Sequence, residues 1–178
     1  MSIVTNLRED LADFWRRFWN QPNKAWRNFH IAFFLLAWHF IIPSISYALN
    51  WQGAVGSFDL IGRILGADGH YKPSEASYIW RVLAVANVFT LGFMCLTLEA
   101  NVRRFYPVLI PLVVLKAMAS LGFCVVYFFR YHHPALLAVS IWDATNVLMF
   151  LYFAHTARWS LEEWGEDVLV PGLFFKER

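Results

Sequence analysis

The stretch that decides the fold runs from Tyr106 to Phe129 and reads YPVLIPLVVLKAMASLGFCVVYFF. As a helix rising about 1.5 Å per residue it would be roughly 36 Å long, which exceeds the roughly 30 Å hydrocarbon core of a bilayer. We therefore predict that it spans a membrane. Lys116 lies near the middle of this stretch. A charge at that depth costs on the order of 3 kcal/mol, so Lys116 needs a partner, water or a route to the interface.

The composition favours a membrane protein throughout. Of the 178 residues, 58% are hydrophobic and only 16% are charged, whereas soluble domains carry about 25% charged residues. Nine Trp and seventeen Phe are present, and many of them flank the apolar runs as interfacial anchors do. The net charge of +2 comes with no nucleic-acid-binding motif. We expect membrane lipids as surroundings and no nucleic acid as partner.

Three more apolar runs accompany the first, so the sequence predicts an all-α membrane protein with a four-transmembrane-helix bundle. The predicted spans are 29–49, 78–98, 106–129 and 134–157, within a transmembrane domain of residues 28–157. An outer loop, 50–77, separates the first two spans and contains one short helix near 58–65. Only Arg130 to His133 separate the last two spans, which must therefore be adjacent and antiparallel.

The segment before the first span, residues 1–27, is predicted to be cytoplasmic and interfacial. Leu7, Leu11, Phe14 and Phe18 recur at helical spacing among polar positions, which indicates an amphipathic helix on the membrane surface. Packing of the same helix on a partner subunit is the alternative. Residues 158–178 are predicted to form a cytoplasmic tail.

Lysine and arginine set the predicted orientation. They are denser on the side of the termini, at Arg16, Arg17, Lys24, Arg27, Arg103, Arg104 and Arg158, than on the other side, at Arg63, Lys72, Arg81 and Arg130. The positive-inside rule then places both termini in the cytoplasm, and we expect a bacterial inner membrane. The layout of four spans with a longer first outer loop resembles that of several small bacterial membrane families, DoxX-like proteins among them.

Each span contributes a polar side chain at a similar depth. His39, Asn87 and Asp143 lie about 14 Å from the outer ends of their spans, and Lys116 lies roughly 5 or 6 Å deeper. We predict that Lys116 and Asp143 pair, because isolated charges in lipid are costly. The candidates for ligand binding or proton relay are His39, Asn87, Lys116, Asp143 and Asn146. A purely structural ion pair is an equally good interpretation.

Two further features concern packing and redox chemistry. Ala117, Ala119 and Gly122 are predicted to let the third span approach a neighbour closely. Cys95 and Cys124 fall in opposite halves of the membrane in this topology, so no disulfide is expected between them.

Function is the least constrained prediction. No catalytic residue stands out, so we expect a non-catalytic accessory, assembly or lipid- or small-ligand-binding subunit of a membrane complex, with another membrane protein or a second copy as partner. One alternative is a small ion- or proton-coupled transporter that uses the polar layer. Another is a redox subunit holding b-type haem or a quinone, in which His30 and His155 would be the haem ligands.

Overall fold

A computed structural model describes residues 12, 15, 16, 23–68, 77–100 and 102–164, and these residues are helical apart from short connections. The helices are α1 (Lys24–Leu49), α2 (Trp51–Ile64), α3 (Ser77–Ala100), α4 (Val102–Phe105), α5 (Leu109–Phe129) and α6 (Pro134–Trp164), with a 3-10 turn at Tyr106–Val108 between α4 and α5. Among the described residues, four segments are long and apolar enough to cross a membrane, namely Lys24–Leu49, Val82–Ala100, Val102–Phe129 and Pro134–Ser160. The predicted all-α class is confirmed for this part of the chain, and so is the presence in it of four helices of membrane-spanning length. Most of the predicted amphipathic segment lies outside the described residues.

Two asparagines set where the first helices begin and end. The side chain of Asn23 accepts a hydrogen bond of 2.7 Å from the backbone N–H of Ala25 and so caps the start of α1. Asn50 ends α1 and caps α2, because its side chain accepts a bond of 3.0 Å from the N–H of Gly53. The connection after α1 is therefore helical over Trp51–Ile64, which is longer than the predicted helix near 58–65.

The core of the bundle is aromatic and is centred on α1. Phe29, Phe33 and Phe40 are buried on α1 together with Leu98 of α3 and Phe150 of α6. Helix α1 packs extensively on α3, α5 packs extensively on α6, and contacts between α1 and α6 join the two pairs, whereas α3 and α5 touch little. The outward faces are strongly apolar, as lipid-facing surfaces must be. Exposed examples are Leu35, Ile42, Phe93, Ile110, Met118, Leu121 and Leu148.

The two ends of the bundle are closed differently. At one end, which we call the termini end, Asn23 before α1 donates a hydrogen bond to Ser160 near the end of α6. At the other, the α2 end, α2 packs against α1 and α6. There the ring of His133 is stacked between Phe58 and Tyr131, at centroid distances of 5.5 and 5.6 Å.

Gly62 is required for this closure at the α2 end. A Cβ at Gly62 would lie 2.1 Å from Cε1 of His133, so Gly62→Ala is expected to push the His133 ring out of its stack. Overpacking of this kind costs about 1–3 kcal/mol, and hydrogen–deuterium exchange of the α2 amides should quicken about tenfold. Gly56→Ala is the matched control, since nothing lies within 4 Å of a Cβ there. Equal exchange in the two variants would contradict the assigned contact.

Candidate functional site

The centre of the bundle contains the ion pair that the sequence predicts. The Nζ of Lys116 on α5 donates a hydrogen bond of 2.5 Å to Oδ1 of Asp143 on α6. Both residues are buried, with 8% and 4% of their surfaces exposed. A short bond between opposite charges removes most of the cost of placing either one in a low-dielectric interior.

An aromatic ring covers the cationic end of this pair. The Nζ of Lys116 lies 4.8 Å from the ring centroid of Phe40, which comes from α1. A cation at this distance from a ring face is attracted by the negative face of the π system. Three helices therefore enclose the Lys116 ammonium group, and α1 contributes to a pair that α5 and α6 supply.

Two serines fix the register of α5 against α6 one turn away. The Oγ of Ser120 donates to the carbonyl oxygen of Ser140, and the Oγ of Ser140 donates to the carbonyl oxygen of Ser120, each at 2.8 Å. Ser120 lies one turn after Lys116, and Ser140 lies one turn before Asp143. The two serines therefore meet, as antiparallel helices require. Such reciprocal bonds between helices are worth about 1–2 kcal/mol in membranes. They hold the ion pair in place.

His39 lies at the edge of the site and not inside it. Its Nε2 accepts a hydrogen bond of 2.9 Å from the indole Nε1 of Trp142, on the surface between α1 and α6. The neighbouring positions Asp143 and Asn146 turn inward, whereas His39 and Trp142 are exposed to the bundle's surroundings. The structure therefore links His39 to α6 through Trp142, a residue that the sequence analysis did not select.

Asn146 and Asn87 have opposite environments. Asn146 is fully buried, its Nδ2 donates to the carbonyl oxygen of Trp142 at 3.1 Å, and its Oδ1 accepts no hydrogen bond from the described residues. Asn87 is exposed on the outside of α3. The structure thus brings Asn146 to the layer predicted from the sequence but does not bring Asn87 there.

A second polar cluster lies at the termini end. Glu99 of α3 is buried, and its Oε1 lies 3.8 Å from Nδ1 of His30 on α1. The predicted second span ends at residue 98 and so leaves Glu99 in the connection that follows. In the structure Glu99 lies one turn after Cys95, on the same face of α3, and both are buried.

The two histidines predicted as haem ligands have different surroundings. His30 is buried beside Glu99, whereas His155 is exposed with its ring 5.9 Å from that of Trp159. In the described part of the chain, no three His, Cys, Asp or Glu side chains are grouped as a metal site needs. Cys95 and Cys124 are free thiols.

The central site is therefore an enclosed ion pair, and the amide oxygen of Asn146, three positions after Asp143, accepts no hydrogen bond from the described residues. The termini end holds a separate buried carboxyl group. The enclosed pair suits structural support or the binding of a small polar group. Comparison of the chain with known protein families, curated proteins and solved structures gave no match.

Proposed function

We propose that the protein is a non-catalytic membrane subunit that binds a transmembrane helix of a partner, or of a second copy, through the exposed first half of α3. The observation that carries this proposal is the exposure of Asn87. It lies ten residues after the start of α3 at Ser77, roughly 15 Å along the helix and so at the level of the hydrocarbon core.

A carboxamide at that depth costs free energy unless it has a hydrogen-bond partner. Asn87 is exposed and its side chain makes no hydrogen bond with a described residue, while the hydroxyl of Thr90 on the same face is satisfied by the carbonyl oxygen of Ala86 at 2.8 Å. Lipid tails offer no hydrogen bonds, so Asn87 is stabilised when another helix supplies a donor or acceptor. The small side chain of Ala86 beside it permits a close approach.

Replacing Asn87 by leucine is expected to weaken this association. Interhelical hydrogen bonds in membranes contribute about 1–2 kcal/mol, so the dissociation constant should rise about tenfold. The measurement is sedimentation or single-particle mass of the protein extracted from its own membranes in a mild detergent. The wild type should form particles larger than the 20.8 kDa chain, and Asn87→Leu should shift them toward the monomer.

Thr90→Val is the matched control, because its hydroxyl is already bonded within α3. It should leave the particle mass unchanged. Both variants should melt at the wild-type temperature, since neither side chain supports a neighbouring helix of the described fold. A monomeric wild type, or an unchanged complex in Asn87→Leu, would refute the proposed function.

The orientation is part of the same proposal. Among the residues whose exposure the structure describes, exposed basic side chains are more numerous at the termini end, with Lys24, Arg27, Arg103, Arg104 and Arg158, than at the α2 end, with Arg63 and Arg130. This asymmetry supports a bacterial inner membrane with both termini in the cytoplasm. A fluorescent reporter that matures only in the cytoplasm, fused after Arg178, should be fluorescent. A dark fusion of normal abundance would reverse the orientation.

A second proposal, a small ion- or proton-coupled transporter, is favoured by the unsatisfied Oδ1 of Asn146. This oxygen belongs to the residue three positions after Asp143 on α6, and an ion or water there would use both groups. Asn146→Leu should then abolish proton flux into liposomes containing the protein. Thr145→Val is the neighbouring control, because its hydroxyl is bonded to the carbonyl oxygen of Ile141. Wild-type liposomes no leakier than empty ones would exclude transport.

A further inference from the structure

The cluster at the termini end is built from three buried side chains on two helices. Trp26 and His30 come from α1 and Glu99 from α3, with 3%, 2% and 4% of their surfaces exposed. The ring of His30 lies 5.8 Å from the indole of Trp26 and 5.5 Å from the ring of Phe29. The Glu99 carboxyl group thus lies next to a histidine that packs against two aromatic rings.

The hydrogen-bonding groups of this cluster are not satisfied by one another. Neither carboxylate oxygen of Glu99 accepts a hydrogen bond from a described residue, and the Nε1 of Trp26 donates none. Leaving a buried donor or acceptor unpaired costs about 1–3 kcal/mol, and more for a charged group. Buried polar groups in folded proteins therefore nearly always have partners, and ordered water is a common one.

The distance between His30 and Glu99 indicates what kind of partner fits. Nδ1 and Oε1 are 3.8 Å apart, which is too long for a direct hydrogen bond. Two polar atoms at this separation can both be reached by one water molecule, whose own bonds are about 2.8 Å long. The Nε1 of Trp26 adds a donor on a ring adjacent to that of His30.

The hydrogen-bonding chemistry of Glu99 and Trp26 then limits which ligands can fit the site. A partner of ionised Glu99 must donate a hydrogen bond, because a carboxylate only accepts. A partner of the Trp26 indole must accept one, because indole Nε1–H only donates. A simple cation such as ammonium meets the first demand and fails the second. Water meets both.

We propose that Trp26, His30 and Glu99 form a binding site for one ordered water molecule at the termini end of the bundle. The water donates to Glu99, accepts from the Trp26 indole and completes its bonding with Nδ1 of His30. Three bonds are typical of a buried water. The bridge joins α1 to α3 near the membrane surface and keeps the carboxylate hydrated inside the protein, independently of any partner helix at Asn87.

Nuclear magnetic resonance of the protein in lipid nanodiscs, with nitrogen-15 in the tryptophan indoles, tests the site. The Trp26 indole signal is assigned by its loss in Trp26→Phe. In the wild type it should show a cross-peak to water that persists in Glu99→Gln, which retains an acceptor oxygen. The cross-peak should vanish in Glu99→Leu. The indole of Trp142, which donates to His39, is the internal control and should show none.

An assigned Trp26 signal without a water cross-peak in the wild type would overturn the proposal. So would a cross-peak undiminished in Glu99→Leu, since the carboxylate would then play no part in holding the water. A crystal structure from a lipidic mesophase gives an independent check that does not depend on any variant. It should contain one density peak within hydrogen-bonding distance of both Nε1 of Trp26 and a carboxylate oxygen of Glu99. Direct closure of His30 onto Glu99 with no such peak would refute the site.

Discussion

Replacing Lys116 by methionine is expected to lower the free energy of unfolding by about 3–5 kcal/mol. The cost arises because Asp143, 4% exposed, would keep its charge inside the bundle without the 2.5 Å hydrogen bond from Nζ. Methionine retains the length and apolar stem of lysine, so little packing is lost. The measurement is unfolding in mixed micelles of increasing SDS fraction, followed by helical circular dichroism.

A double-mutant cycle separates the pair from its surroundings. Asp143→Leu alone should also be costly, whereas Lys116→Met with Asp143→Leu should be much less destabilised than the sum of the two single changes. Arg130→Met is the matched control, since Arg130 is exposed just after α5, and it should change stability little. Additive losses in the cycle would show that the two charges do not stabilise each other.

The four spans and this ion pair were predictable from the sequence for the same reason. An apolar run of about 20 residues has few folding options, because every backbone polar group in lipid must be satisfied within the helix. Lys116 and Asp143 then followed from two constraints, a connection of only Arg130 to His133 and the cost of an unpaired charge. An unsatisfied backbone group or an unpaired charge in lipid costs several kcal/mol, so few other structures are possible for these segments.

The exposure of individual residues on α3 was much less predictable. Asn87, Leu91, Cys95 and Glu99 follow one another at intervals of one turn and so lie along one face of the helix. In the structure Leu91, Cys95 and Glu99 are buried, whereas Asn87 is exposed, because no residue of 82–90 is buried. The difference depends on how far along α3 its packing extends, and hydropathy does not resolve this.

The glycine at the crossing of α1 and α3 was also not predicted. Gly122 is predicted from the sequence to permit a close approach, yet Gly122 is exposed, and nothing lies within 4 Å of a Cβ built there. The close approach lies instead at Gly92, where α3 crosses α1. The sequence of an apolar helix does not show whether a glycine faces lipid or a neighbouring backbone.

Gly92→Ala is therefore expected to separate α1 from α3. The added Cβ would lie 2.6 Å from Cγ1 of Ile41 and 3.0 Å from the carbonyl oxygen of Ala37. The Ile41 side chain can rotate away, but the Ala37 carbonyl belongs to the α1 backbone and moves only with the helix. Such overpacking costs about 1–3 kcal/mol, and the same SDS titration measures it.

Gly122→Ala provides the matched control, a second glycine-to-alanine change in a membrane-length helix. It should leave stability unchanged or raise it by up to about 1 kcal/mol, because alanine loses less backbone entropy in a helix than glycine. Since Gly92 also sets the rotation of α3, its alanine variant should disturb the Trp26 indole signal near Glu99, and Gly122→Ala should not. If the two variants proved equally stable, α1 and α3 would not be in contact at Gly92.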